Sequence, residues 1–128
     1  MGDAFAPLLK KANFTPRIVN VSSGLGSIVS RLDVSAEGHV IKAPQYRASK
    51  AALNMVTACQ KVDFEGDGFK VFAYCPGFTV SNLGPYNKAE HGAKPTSEGA
   101  RPIVGILKGE RDEESGCFLK VKGSYENW

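Results

Sequence analysis

Arg17-Ile18-Val19-Asn20-Val21-Ser22 is the run that decides the fold of this chain. It is rich in β-branched residues and lacks the polar alternation of a half-solvated strand. That pattern predicts a strand covered on both faces, as in a parallel sheet. Ser22-Ser23-Gly24-Leu25-Gly26 breaks it. Phe69-Lys70-Val71-Phe72-Ala73-Tyr74-Cys75 predicts a second strand, ended by Pro76-Gly77, and residues 116–121 a third. Between the first two strands, residues 27–44 read as a loop with one short helical turn. Pro44 and Gln45 then lead into a helix over 46–64. Its expected inner stripe is Ala48, Ala52, Met55, Val56 and Cys59, and Glu65-Gly66-Asp67-Gly68 stops it.

Outward from that centre the pattern repeats. A loop of about twenty residues follows Pro76-Gly77. Thr96 or Ser97 is then expected to cap a helix with Ile103, Val104, Ile106 and Leu107 on its apolar face. Residues 3–12 read as the end of a helix, with Phe5, Leu8, Leu9 and Ala12 on one side and Pro7 awkwardly inside; Met1 looks like a start placed late in a longer helix. Strands separated by helices imply parallel pairing. The expected class is α/β: a partial Rossmann-like parallel sheet of about three strands with flanking helices.

With 128 residues the chain is one domain by size. A net charge of +3 with scattered basic residues gives no basic stripe for nucleic acid. No apolar run is long enough to span a membrane and no secretory segment is visible, so the expected location is the cytoplasm. The three cysteines, Cys59, Cys75 and Cys117, have no metal spacing and are expected to be buried free thiols. Asn13-Phe14-Thr15 and Asn20-Val21-Ser22 match the glycosylation sequon by coincidence. His39 and His91 fall in loops without partner ligands, so no metal site is expected.

The chemistry centres on Tyr46-Arg47-Ala48-Ser49-Lys50. Residues four apart share a helix face, which holds an ammonium near a phenol. A free phenol keeps its proton to about pH 10. A neighbouring cation favours the phenolate and fits such a group for proton exchange with an alcohol or carbonyl oxygen. Ser23 ends the first strand, at the edge where parallel sheets place ligands, and a hydroxyl there can meet an oxygen as it gains charge. Pro76-Gly77 ends the second strand in the same way. Gly24-Leu25-Gly26-Ser27-Ile28-Val29 opens like a dinucleotide fingerprint but lacks the third glycine, a following acid and a clear helix.

These pieces, in this order, resemble the short-chain dehydrogenase/reductase family, closest to its carbonyl-reductase-like members. The resemblance rests on Asn20-Val21-Ser22-Ser23, Tyr46-x-x-x-Lys50, Pro76-Gly77 and the terminal tryptophan. It implies NAD(P)(H)-dependent carbonyl reduction or alcohol oxidation by hydride transfer. Ser23, Tyr46 and Lys50 would be catalytic, with Tyr46 as acid/base. Lys50, with Tyr46, would bind the nicotinamide ribose. Pro76, Gly77, Thr79 and Ser81 would approach the nicotinamide amide, with Ser81 standing where the family has threonine. Residues 27–44 would be an insertion of the carbonyl-reductase kind. The implied cofactor is NADP, or NAD, and the partner a small carbonyl or alcohol.

The resemblance further implies that residues 1–128 are the C-terminal, catalytic half of the family's Rossmann domain. The glycine-rich cofactor-binding N-terminal half and the helix asparagine of the family's tetrad are absent. The first strand would then expose an apolar edge and pair with a second copy or with a chain bearing the missing half. The alternative reading is a truncated, catalytically inactive remnant that acts as a binding or regulatory partner of a full-length relative.

Overall fold

The computed structural model describes residues 2–121 and 124–128; Met1, expected to interrupt a longer helix, lies outside them. In chain order the elements are α1 (Gly2–Lys10), β1 (Arg17–Val21), α2 (Ile28–Leu32), α3 (Pro44–Asp63), β2 (Lys70–Cys75), α4 (Thr96–Lys108) and β3 (Phe118–Lys120). The three strands form one parallel sheet in the order β1-β2-β3. Arg17 pairs with Lys70 and Val21 with Tyr74, so the carboxyl ends of β1 and β2 lie side by side.

β2 is the central strand, and Val71, Phe72, Ala73 and Tyr74 are fully buried. Its alternation feeds both faces. Phe72 and Tyr74 join Leu119 and Ile106 of α4 on one side, with Val19 and Ile103 at the margin. On the other, Val71 packs with Phe69 and Ala6 of α1, while Ala73 and Cys75 meet Phe118. The Tyr74 hydroxyl donates to the Gly99 carbonyl at 2.6 Å and ties β2 to α4. Arg17 grips Asp112 through two bonds of 2.8 and 2.7 Å, closing the opposite end of the sheet.

Several expectations need correction. β1 is only half-buried, because it is an edge strand: among the described residues no strand pairs with its outer side. The stripe expected to face inward on α3 faces out, with Ala48, Ala52 and Cys59 exposed and Met55 65 % exposed. The helix instead turns Asn54 and Thr57 inward. The reason lies in β1 and the residue that follows it, where the inward Asn20 and Ser22 are polar. The Asn20 amide donates to Thr57 Oγ1 at 2.9 Å and Gln60 Oε1 at 2.7 Å, and the Ser22 hydroxyl to Asn54 Oδ1 at 2.5 Å. Buried polar groups need partners, and β1 and α3 supply each other's.

On α1, Ala6 rather than Phe5 or Leu8 is the buried residue, and Pro7 is accommodated inside the helix. Neither Thr96 nor Ser97 caps α4; Pro95 holds the cap position without a side-chain cap bond, and its carbonyl accepts from the Glu98 N–H at 3.0 Å. On that helix Ile106 is buried, but Val104 and Leu107 are exposed. β3 is shorter than expected. Of the cysteines only Cys75 is buried; Cys59 is exposed. Among the described residues no helix is long and apolar enough to cross a membrane.

Candidate active site

The site lies at the carboxyl edge of β1 and β2. Ser22 continues the ladder one step beyond β1, its N–H donating to the Tyr74 carbonyl at 2.8 Å. The chain then makes a 3-10 turn over Gly24–Gly26, capped by Ser23, whose Oγ accepts from the Leu25 N–H at 3.2 Å. The Gly24 N–H donates to Cys75 Sγ at 3.2 Å, which pins the turn over the end of β2.

α3 is pressed against this turn. A Cβ built on Gly26 would stand 2.7 Å from Lys50 Cβ, 2.8 Å from the Lys50 carbonyl carbon and 3.0 Å from the Ala51 nitrogen. Only glycine allows that approach. The structure thereby brings the Ser23 turn to the helical turn that carries Lys50. The Lys50 ammonium lies 5.7 Å from the centre of the Tyr46 ring and donates to the Val21 carbonyl at 3.0 Å. That bond anchors Lys50 to the last residue of β1. Tyr46 and Lys50 are both part-exposed.

Pro76 and Gly77 follow β2 on the same edge. Gly77 has φ of 74°, a conformation that favours glycine, and among the described residues nothing lies within 4 Å of where its Cβ would be. The loop is held from behind by α4: a Cβ on Gly99 would meet Thr79 Cγ2 at 2.8 Å and Pro76 Cβ at 3.1 Å. Thr79 bridges to Lys94, and its carbonyl accepts from the Asn87 amide at 3.4 Å. Ser81 sits further out, where its Oγ accepts from the Leu83 N–H at 3.3 Å. Ser23, Tyr46, Lys50, Pro76, Gly77 and Thr79 therefore share one edge, while the Ser81 hydroxyl is engaged in its own turn.

Two contributors escaped the sequence reading. Arg47, inside the Tyr46–Lys50 motif, folds back to donate to the carbonyls of Leu25, Gly38 and Ile41 at 3.2, 2.6 and 3.2 Å. It ties the 27–44 segment to α3. Burial, then the nearby Arg31, lowers its pKa from the ordinary guanidinium value; the group stays charged, and its carbonyl partners accept from it. Asn54 is the second. It receives Ser22, and its Nδ2 has no partner among the described residues. Nothing in helical spacing marks either one. In the glycine-rich 24–26 stretch the backbone N–H groups that could cradle a phosphate are already engaged, by Cys75 Sγ, Ser23 Oγ and the Ser23 carbonyl.

Comparison with known proteins gives this edge a context. A family model described as short chain dehydrogenase matches residues 1–91. The chain is 39 % identical over 107 residues to short-chain dehydrogenase anuI of Penicillium roqueforti, covering 81 % of this chain and 41 % of that protein. It is 35 % identical over 142 residues to short-chain dehydrogenase/reductase tropE of Talaromyces stipitatus, covering 98 % and 52 %. Among solved structures, NADPH-bound carbonyl reductase from chicken fatty liver superposes with a TM-score of 0.75 at 30 % identity, covering 99 % of this chain and 51 % of that one. The chain thus spans about half the length of these relatives. The parallel sheet, the residues gathered at its carboxyl edge and these matches together lead to one conclusion: the chain belongs to the short-chain dehydrogenase family.

Proposed function

We propose that the carboxyl edge of this sheet is the proton-transfer side of an NADP(H)-dependent oxidoreductase site for a small carbonyl or alcohol. The observation that carries the reading is the placement of Lys50 beside the Tyr46 ring, on the helical turn against which the Ser23 turn is packed. The NADPH held by the chicken carbonyl reductase supports NADP as the cofactor.

The residues present fit one end of that cofactor. Lys50 gives one hydrogen to the Val21 carbonyl, and an ammonium has three, so two remain for ribose hydroxyls. Gly77 leaves backbone open toward a planar amide. No pyrophosphate cradle exists among the described residues. When bound, the cofactor supplies or accepts the hydride.

The chain's own residues handle the proton. Tyr46 donates its phenolic hydrogen to the substrate oxygen as that oxygen gains charge, with the Lys50 ammonium 5.7 Å from the centre of the ring. Ser23 Oγ already accepts from Leu25, so its hydroxyl hydrogen is free to donate to the same oxygen. Alcohol oxidation runs the same steps in reverse. The free side of β1 is proposed to receive the strand that completes the site, from the half of the relatives that this chain does not match or from another chain.

The test is a fluorescence titration of the 128-residue chain with NADPH, with Tyr46→Phe and Lys50→Ala alongside. Wild type and Tyr46→Phe should bind saturably, and Lys50→Ala should bind at least about tenfold more weakly, the loss of one or two charged hydrogen bonds. Equal binding by all three, or none by wild type, would sink the reading for this chain.

A further inference from the structure

The C-terminal tail does more than end the chain. It returns antiparallel to β3: the Lys120 N–H donates to the Ser124 carbonyl at 2.8 Å and the Glu126 N–H to the Phe118 carbonyl at 2.7 Å. The Trp128 ring then lies on Phe118 with centroids 5.6 Å apart, and its main-chain oxygen accepts from Ser27 Oγ at 3.3 Å. Between these two anchors Glu126 points inward, its side chain only 9 % exposed. Its carboxylate accepts from Ser30 Oγ at 3.0 Å and meets the Lys120 ammonium at 2.7 Å. One oxygen stands 2.7 Å from where a Cβ on Gly24 would be.

We propose that Glu126 is a positioning residue for Ser23, acting through a strap formed by residues 124–128. The tail links β3 to the segment that follows β1, two regions that β2 separates in the sheet. The Ser23–Gly26 turn is consequently held on three sides. Cys75 Sγ accepts from Gly24, the Lys50 turn of α3 fills the space at Gly26, and the Glu126 carboxylate backs Gly24. A largely buried carboxylate is stable only when paired and hydrogen-bonded. Ser30 on one side and Lys120 on the other meet that need, which fixes the strap in one geometry. No other described contact joins β3's end to α2 through a charged group. The consequence for chemistry rests on the reading that Ser23 meets the substrate oxygen; the mechanical claim does not.

The experiment is amide hydrogen exchange on the 128-residue chain, wild type against Glu126→Ala and Glu126→Gln. The Leu25 N–H is bonded to Ser23 Oγ, so its exchange reads the serine directly; the Gly26 and Ser30 amides read the rest of the segment. Trp128, the sole tryptophan, reports the tail itself by its fluorescence. Glu126→Ala should speed exchange at Leu25, Gly26 and Ser30 about tenfold, leave Phe72 and Tyr74 in β2 unchanged and red-shift Trp128. If Glu126→Ala does not fold, Glu126→Gln carries the test, with about threefold acceleration at the same three amides. Unchanged exchange at Leu25, or equal acceleration in β2, overturns the proposal, because the tail would then serve only general stability. The NADPH titration on the same samples is independent: a local exchange effect without binding keeps the strap and rejects the oxidoreductase reading.

Discussion

Gly26→Ala is the substitution that the packing of this site resists most clearly. The added carbon would stand 2.7 Å from Lys50 Cβ, 2.8 Å from the Lys50 carbonyl carbon and 3.0 Å from the Ala51 nitrogen. Carbon atoms rest at about 3.5–4.0 Å, so the turn and the helix must part by about 1 Å. None of the obstructing atoms is the tip of a flexible side chain; they are helix backbone and the first side-chain carbon. Overpacking of this kind costs about 1–3 kcal/mol, which lowers the melting point of a domain this size by roughly 3–15 °C. Two other glycines serve as controls. Gly24→Ala crowds chiefly the Glu126 carboxylate, a side-chain tip held by Ser30 and Lys120 rather than helix backbone, and should lose about 1 kcal/mol, less than Gly26→Ala. Gly66→Ala meets nothing within 4 Å among the described residues and should lose nothing. Thermal melts and urea titrations followed by circular dichroism rank the three. Equal melting of Gly26→Ala and wild type would refute the close packing of the Ser23 turn on α3. A fall in Gly24→Ala as large as in Gly26→Ala would refute the backbone contact as its cause.

Other outcomes follow from the charges and the sheet edge. The Arg17 guanidinium holds the Asp112 carboxyl below its ordinary range. A lowered carboxyl stabilises above its unfolded value of about 3.9 and stops doing so as pH falls through the folded value. Asp112→Asn should therefore flatten part of the loss in urea midpoint between about pH 5 and pH 3. Burial pushes the Tyr74 phenol up to about 12. Its contribution is complete below about pH 10 and is lost as pH climbs through the folded value. Tyrosinate absorbance should show two of the four tyrosines titrating late, Tyr74 and the Glu114-bonded Tyr125, and Tyr74→Phe should remove one of the two and cost about 1–2 kcal/mol at neutral pH by stranding the Gly99 carbonyl. Sedimentation should find concentration-dependent self-association through β1, with a melting point that rises with concentration. A stable monomer at all concentrations would count against an adhesive edge.

Much of the architecture could be read from residue order. The three strands, the long helix after Pro44 and the turns at Gly68 and Gly77 lie where β-branched runs and glycines marked them. Tyr46 and Lys50 met because four residues make one helical turn. The inward face of α3 was not legible. Apolar periodicity points to Met55 and Cys59, but β1 offers Asn20 and Ser22, and a polar strand recruits a polar helix face. Such a match depends on residues 32 to 40 positions apart and leaves no local trace. The same holds for Arg47 and Glu126, whose partners are set by the fold of the 27–44 segment and the tail. Asn20 shows the converse. Its sequon is visible, yet its amide is committed to Thr57 and Gln60 and faces the helix.

The sheet's two borders are unequal, and that inequality governs how copies of the chain can meet. At β3 the returning tail occupies the backbone groups through Leu119 and Tyr125, while no described residue pairs with the outer side of β1. An object with one sticky border and one blunt border cannot propagate. If copies met through these borders, the covered β3 would leave only β1-to-β1 pairing, antiparallel about a two-fold axis. That union consumes both sticky borders at once. Such an assembly would close at two rather than grow into a fibre, because residues 124–128 blunt the other border.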